Sequence, residues 1–248
     1  MSTSTPSFKF FPSLNAKADM KWASSRTSIN VPLAKRFFAS ESLQDKLVRA
    51  MAEKQVIPIK EVLECFEYVA LIRKAVRSAC VADLCCGHGL AGMLLGIFEK
   101  SVEQVLLVDR KRPQSHEKLF AVLAEVAPWL HDKVSFQVQR LDAVVIPHNS
   151  SVVSAHACGV LTDTCIDMAI ATGGAIAVMP CCYPKRLCPA PAAICNEFGE
   201  AVAFDIDRTY RLEQAGYHVR WSAIPSCITP MNRVIIGRAG RTVGGADK

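Results

Sequence analysis

Apolar residues recur at helical spacing twice in the first third of the chain. Ser40 or Ser42 is placed to cap a helix with Leu43, Leu47, Val48 and Met51 on one face. Pro58 opens a longer helix in which Val62, Leu63, Phe66, Val69 and Ala70 recur at the same period. From Cys80 the rhythm changes to short apolar runs at residues 80–85, 105–108, 134–138, 152–155 and 175–179. Amphipathic stretches separate most of them: residues 90–99, a helix behind Pro113 that carries Leu119, Val122, Leu123 and Val126, and residues 164–171. Strands alternating with helices predict a parallel sheet covered on both faces. The ending differs. A helix near residues 208–215 stops at Gly216, and strands at residues 217–223 and 233–237 flank a short proline-bearing loop. That connection is too short for a helical crossover, so the last strands form an antiparallel hairpin. The predicted fold class is an α/β sandwich with a mostly parallel sheet, a C-terminal antiparallel hairpin and a helical N-terminal cover.

The two early helices hold too few residues for a core of their own. They are expected as a cover at residues 41–79 over a main domain at residues 80–238, with a loose tail at 239–248. Residues 1–40 are rich in Ser, Thr, Lys and Arg, with Asp19 as their only acid. That composition suits a flexible basic segment or an organellar transit peptide, and Trp22, Val31, Phe37 and Phe38 are able to dock it on a surface. The longest apolar run, residues 166–179, contains Asp167 and breaks at Gly173-Gly174, short of the roughly 18 residues of a spanning helix, so no membrane is expected as partner. Eleven cysteines with no signal peptide ahead of them fit reduced thiols and a cytoplasmic address, or an organellar one if residues 1–40 are a transit peptide. A formal net charge of +6 leans towards an anionic partner and leaves oligomeric state open.

The sharpest chemical signal follows the first strand, in Asp83-Leu84-Cys85-Cys86-Gly87-His88-Gly89-Leu90. Gly87 and Gly89 let the backbone turn tightly and approach a ligand. The next helix then starts with free amides at the carboxyl end of the sheet. Asp83 ends the first strand, where a carboxylate orients a cationic ligand, and Asp109 ends the second, where it accepts from ribose hydroxyls. Gly87-His88-Gly89-Leu90-Ala91-Gly92 also satisfies the dinucleotide pattern G-x-G-x-x-G. Against an NAD(P)-dependent oxidoreductase stand Asp83 beside a pyrophosphate, the motif's position behind a helical cover, and the closing hairpin. Arg110-Lys111-Arg112 fits a 2′-phosphate poorly next to Asp109. A fold whose glycines serve packing only, without catalysis, is a third possibility.

With its acidic second motif, the glycine turn resembles the D-x-G-x-G motif of class I S-adenosylmethionine-dependent methyltransferases, over roughly residues 78–238. Cys85 stands where that family commonly has its first glycine. The resemblance implies a Rossmann-like fold, S-adenosylmethionine as cofactor, and a cofactor set of Asp83, Cys85, Gly87, His88, Gly89, Asp109, Arg110, Asp142 and His156, with Asp142 meeting the adenine. The segments D-L-C-C-G-H-G-L, V-D-R-K-R-P, H-A-C-G-V-L-T-D and M-P-C-C are similar to the branch that includes the eukaryotic tRNA acceptor-stem ribose 2′-O-methyltransferase. The Cys/His zinc module of that enzyme is not found here.

The resemblance makes RNA, with tRNA as one candidate, the expected acceptor, with a small molecule or a protein as alternatives and a noncatalytic adenosylmethionine-fold binding protein as the non-enzyme alternative. No N-P-P-Y or D-P-P-Y box follows the fourth strand, which disfavours base-amine methylation. For a ribose hydroxyl the candidate catalytic residues are His156, Asp163 and Tyr183. Cys181, with Cys158 or Cys182 as helper, matches the strand-end positions of the cysteines of cytosine-5 enzymes, without their sequence contexts. Lys185, Arg186, Arg208 and Arg211 are expected on a phosphate-binding rim, joined by Arg110–Arg112. Asn232-Arg233 in the final hairpin is a further acceptor-facing candidate. Cys181, Cys182, Cys188 and Cys195 match no standard zinc spacing, so no metal is expected from them.

Overall fold

The computed structural model describes residues 7–17, 19–184 and 188–240. Strands β1 (Cys80–Leu84), β2 (Gln104–Asp109), β3 (Val134–Val138), β4 (Ser151–Ser154), β5 (Ile176–Val178), β6 (Tyr217–Ala223) and β7 (Arg233–Ala239) form one sheet of seven strands. Their order is β3-β2-β1-β4-β5-β7-β6; the first five run parallel, and β7 is antiparallel to both β5 and β6. The chain therefore reverses direction across the sheet between β1 and β4, which opens a crevice at their carboxyl ends.

Both sheet faces are buried, and the strands show it by alternation. Val81, Val105, Leu107, Val153, Ala177, Val234 and Ile236 enter one core. Ala82, Leu84, Leu106, Val108, Val152, Ile176, Val178 and Ile235 enter the other. Helices α2 (Leu43–Lys54), α3 (Ile59–Ile72), α4 (Leu90–Phe98) and α5 (Gln114–Val126) supply the first core. Helices α6 (Leu161–Thr172) and α8 (Glu200–Gln214) supply the second. A short helix at Ala192–Phe198, α7, precedes α8 and has no counterpart in the apolar pattern.

The N-terminal residues correct the expectation of a flexible basic segment. Helix α1 (Val31–Phe37) follows two 3₁₀ turns, and Phe8, Phe10, Phe11, Leu14, Ile29 and Phe38 are buried in the first core. Phe10 packs edge-on against Phe66 at 5.4 Å between ring centroids, and Phe11 meets Phe38 at 4.9 Å. The backbone N–H groups of Lys9 and Phe10 donate to the buried Glu67 carboxylate at 2.6 and 3.1 Å. The aromatic residues lie in irregular chain, where no periodicity announces their burial.

Helix α3 is bolted to the sheet through one phenol. Tyr68 is fully buried; its hydroxyl donates to the Ala177 carbonyl at 2.6 Å and accepts from the Ser154 N–H at 3.2 Å. It thus bridges β4 and β5 at their carboxyl ends. Tyr68→Phe removes a hydrogen bond from each of two buried backbone groups and should lower unfolding stability by about 1–3 kcal/mol. Urea unfolding with an unchanged midpoint would show that the two strands close the gap by themselves.

Candidate active site

The chain leaving β1 passes through the left-handed region at Cys85 (φ 55°), Gly87 (φ 56°) and Gly89 (φ 81°) before entering α4. Cys85 is thus strained where a glycine is at ease, by about 1–2 kcal/mol. Backbone groups of the turn hold the acids on either side. Gly92 N–H donates to Asp83 Oδ2 at 2.8 Å, Gly87 N–H to Asp109 Oδ2 at 2.9 Å, and Lys111 N–H to Asp109 Oδ1 at 3.3 Å. Space is tight on the strand side. A Cβ at Gly92 would lie 2.5 Å from Leu107 Cδ2 and 3.0 Å from Asp83 Oδ2. On the outer side a Cβ at Gly87 would meet nothing within 4 Å.

That outer side is a cleft of about 320 Å³ lined by Asp83, Cys85, Cys86, Gly87, His88 and Ala91 from the turn, by Ala155 and His156 after β4, and by Lys60, Glu61, Glu64 and Cys65 of α3. Its acids are paired in a definite pattern. His88 Nδ1 accepts from Leu90 N–H at 3.1 Å, which leaves its Nε2–H to donate to Glu61 at 3.0 Å. Lys60 Nζ sits 2.5 Å from Glu64 Oε1, and His156 Nε2 sits 3.4 Å from Glu64 Oε2, an oxygen without any hydrogen bond among the described residues. The hydrogen bond from His88 holds the Glu61 carboxyl below its ordinary range, against its partial burial. Burial works to raise Glu64, but His156 and Lys60 outweigh it and keep it low. Asp83 goes the other way. Burial pushes it up to about 7, against the Gly92 N–H and the charge of His156, with Asp109 adding to the rise.

Of the residues singled out in the sequence, Asp83, Cys85, Gly87, His88 and His156 line the cleft. Gly89 begins α4 beside them, and Asp109 is joined to them through Gly87. Arg110 is exposed at the end of β2. Asp142 is exposed on a 3₁₀ turn and ion-paired with Arg140 at 2.8 Å. Lys185 and Arg186 lie outside the described residues. Lys60, Glu61 and Glu64 were missed. The available signal was charged residues at i, i+1 and i+4 inside an otherwise apolar helix.

The expected rim needs correction at Arg208. It is fully buried, with Asp163 at 3.0 Å and Asp205 at 3.2 Å, and cannot reach a phosphate. Arg211 is taken up by Asp163 at 2.9 Å and Asp167 at 2.5 Å. Asp163 and Tyr183, expected to act on the acceptor, belong to the same network, since Tyr183 donates to Asp205 at 2.8 Å. Arg233 joins it through Asp205 at 2.5 Å, while Asn232 donates to the Ile224 carbonyl at 2.6 Å. A buried guanidinium requires paired carboxylates, and these acids supply them. Cys181 Sγ lies 3.4 Å from Cys158 Sγ and 3.7 Å from Cys182 Sγ; burial, then Cys158, raise its pKa, which disfavours a nucleophilic thiolate.

The cleft suits a cationic cofactor such as S-adenosylmethionine: the buried Asp83 carboxylate has no cationic side-chain partner among the described residues, and the space over Gly87 is open. The sheet order with this glycine turn defines a class I methyltransferase. A family described as a methyltransferase domain matches residues 57–186, and the chain belongs to it. The protein is an enzyme whose methyl donor is S-adenosylmethionine, and the oxidoreductase and noncatalytic readings fall away. No curated protein matches the chain. Among solved structures, an S-adenosylmethionine-dependent methyltransferase from Aquifex aeolicus is 16% identical with a TM-score of 0.46, over 78% of this chain and 97% of that one. The Pyrococcus abyssi tRNA (uracil-54, C5)-methyltransferase, in complex with S-adenosyl-L-homocysteine, is 13% identical with a TM-score of 0.44, over 71% of this chain and 38% of that one. The fibrillarin pre-rRNA processing protein of Methanococcus jannaschii is 11% identical with a TM-score of 0.44, over 66% and 67%.

Two measurements test the cradle. Asp109→Ala removes the acceptor that anchors the Gly87 N–H beside the cleft, and should weaken cofactor binding by about 2–4 kcal/mol in calorimetry. Affinity within a few tenths of wild type would dismiss Asp109 from the site. Asp83 sets a pH dependence. Its folded-state pKa is raised, so in the free protein this group's contribution to stability declines as pH rises from the ordinary carboxylate range to about 7. A cationic ligand favours the ionised form. Cofactor affinity should therefore climb as pH rises through about 7, with proton release on binding, and Asp83→Asn should flatten the climb. The same slope in both proteins would assign the proton to another group of the cleft.

Proposed function

We propose that the chain methylates RNA, with a ribose 2′-hydroxyl as the acceptor and tRNA as one candidate substrate. The observation that carries this reading is the His156–Glu64 pair at the end of β4, in the same cleft as Asp83. A hydroxyl must give up a proton as it is methylated, and an imidazole backed by a buried carboxylate is built to take one. When bound, S-adenosylmethionine supplies an electrophilic methyl group on a sulfonium. His156 directs Nε2 to Glu64, which leaves Nδ1 for the acceptor hydroxyl. Glu64 then stabilises the imidazolium that forms. Asp83 and Glu61 hold positive charge in place, and α3 forms one wall of the cleft.

Exposed Arg110, Lys111 and Arg112 beside Asp109 offer charge to phosphates. Arg112 already stacks on Phe136 at 4.9 Å from the ring centroid, which fixes its position. Asp142, next to Arg140, is kept as the candidate adenine contact. We place the protein in the cytoplasm. Its described cysteines are free, and cleaving a leader at residue 40 would strip Phe8, Phe10, Phe11 and Leu14 from the core. No helix among the described residues is long and apolar enough to cross a membrane.

His156→Ala should lower the single-turnover methylation rate on total RNA by about 10²–10⁴-fold while leaving cofactor affinity close to wild type. Digested product should carry label on 2′-O-methylnucleosides, and RNA containing 5-fluoropyrimidines should form no covalent adduct. Label on a base carbon with such an adduct would replace the hydroxyl chemistry by the Cys181 mechanism. RNA affinity should also fall steeply with salt. No RNA binding at low salt would redirect the search to small-molecule or protein acceptors.

A further inference from the structure

The sequence gives no zinc spacing, but the sheet brings together a different set of thiols. β4 and β5 are neighbours, so the loops leaving their carboxyl ends run side by side. Gly159 N–H donates to the Cys182 carbonyl at 3.3 Å and ties the loops together. Cys158 on one loop and Cys181 and Cys182 on the other then converge, with all three Sγ atoms within 4.8 Å of one another. Cys188 and Cys195 do not join them; their Sγ atoms face the Glu200 and Ala190 carbonyls instead.

The distances have a chemical reading. Thiolates bound tetrahedrally to zinc at about 2.3 Å stand about 3.8 Å apart along each edge. Here the edges from Cys181 are 3.4 Å to Cys158 and 3.7 Å to Cys182, both near that edge, and the third is within 4.8 Å, so shifts of a few tenths of an ångström to about 1 Å around an ion complete the arrangement. Hydrogen bonding offers three clustered thiols little, because S–H is a weak donor and sulfur a weak acceptor. A soft thiolate set selects a borderline or soft ion, not magnesium or calcium.

We infer that Cys158, Cys181 and Cys182 form a zinc site that clamps the β4 and β5 loops at the acceptor side of the cleft. Each thiol gives up its proton to solvent as its Zn–S bond forms. Cys158 and Cys182 are exposed, so the fourth position faces outward and takes water. The ion would fix the loop that carries His156, two residues before Cys158. This inference goes beyond the proposed acceptor and holds for any acceptor class.

The test is metal analysis of the full chain purified without chelator, followed by replacement of zinc with cobalt. One zinc per chain is expected, and the cobalt form should show thiolate-to-metal charge-transfer absorption. Cys158→Ser and Cys182→Ser, both at exposed positions, should each weaken zinc binding at least 10-fold and reduce that absorption. Cys227→Ser, on an exposed cysteine outside the cluster, should change neither. Thermal melts of each variant check folding, and cofactor affinity reports the cradle separately. Zinc well short of one per chain, cobalt spectra indifferent to the serine variants, or a Cys158–Cys181 disulfide in protein prepared without oxidant would each overturn the assignment.

Discussion

A single phenol between two strands and a helix sets the geometry on which the active-site cleft depends. Tyr68 reaches the β4 and β5 backbone at Ser154 and Ala177, so α3 can neither slide nor roll against the sheet without breaking a buried hydrogen bond. The apolar face of α3 fills the first core, and this fixed rotation leaves Lys60, Glu61 and Glu64 to line the cleft. From there Glu61 holds His88 and Glu64 holds His156. The glycine turn and the end of β4 are thereby connected through a helix that precedes both in the chain. The N-terminal segment reinforces the arrangement from behind. Glu67, one residue before the phenol, accepts the backbone of Lys9 and Phe10, and Phe66 packs against Phe10 and Phe11.

Charge burial divides the molecule into parts with different purposes. Around Arg208 every charge has opposite partners nearby: Asp163 and Asp205 face it, and Arg211 and Arg233 share those acids. Such a network is costly to break and offers nothing to a ligand. Asp83 is different. It is about as buried as Asp205, yet its hydrogen-bond partner is a backbone N–H, and among the described residues no cationic side chain is ion-paired with it. Burial without a counter-charge is an unfavourable place for a carboxylate, and a cationic cofactor relieves it.

The sequence reveals strands and glycine turn clearly, because both rest on local rules. Period-two alternation on a doubly covered sheet leaves apolar runs at β1, β2, β4 and β5, and the turn needs glycine where φ is positive. What stays hidden depends on tertiary partners. Phe8, Phe10 and Phe11 are buried from irregular chain, so their basic neighbours dominated the composition of that segment. Arg208 looks like any helix-surface arginine until α6 supplies Asp163 from 45 residues away. Glu64 looks like a polar interruption of an apolar helix until His156 arrives beside it. Cys158 and Cys181 are separated by 23 positions and meet because β4 and β5 are adjacent, a fact of topology that motif spacing does not contain.

Cys85 shows how a departure from a family pattern is absorbed. Its backbone takes the left-handed conformation that glycine adopts freely, so the turn keeps its shape and the strain is confined to one residue. The side chain is not idle. It packs at the edge of the second core, to which Cys165 of α6 belongs, and the nearby Cys165 thiol lowers its pKa against burial. A glycine there would relax the backbone but leave the floor of the cleft without its link to α6. The cysteine therefore exchanges backbone ease for a contact between the cofactor turn and the helix that follows β4. That contact lies on the sheet face opposite α3, so the turn is held from both sides: by Glu61 through His88 above, and by the packing of Cys85 on the second core below.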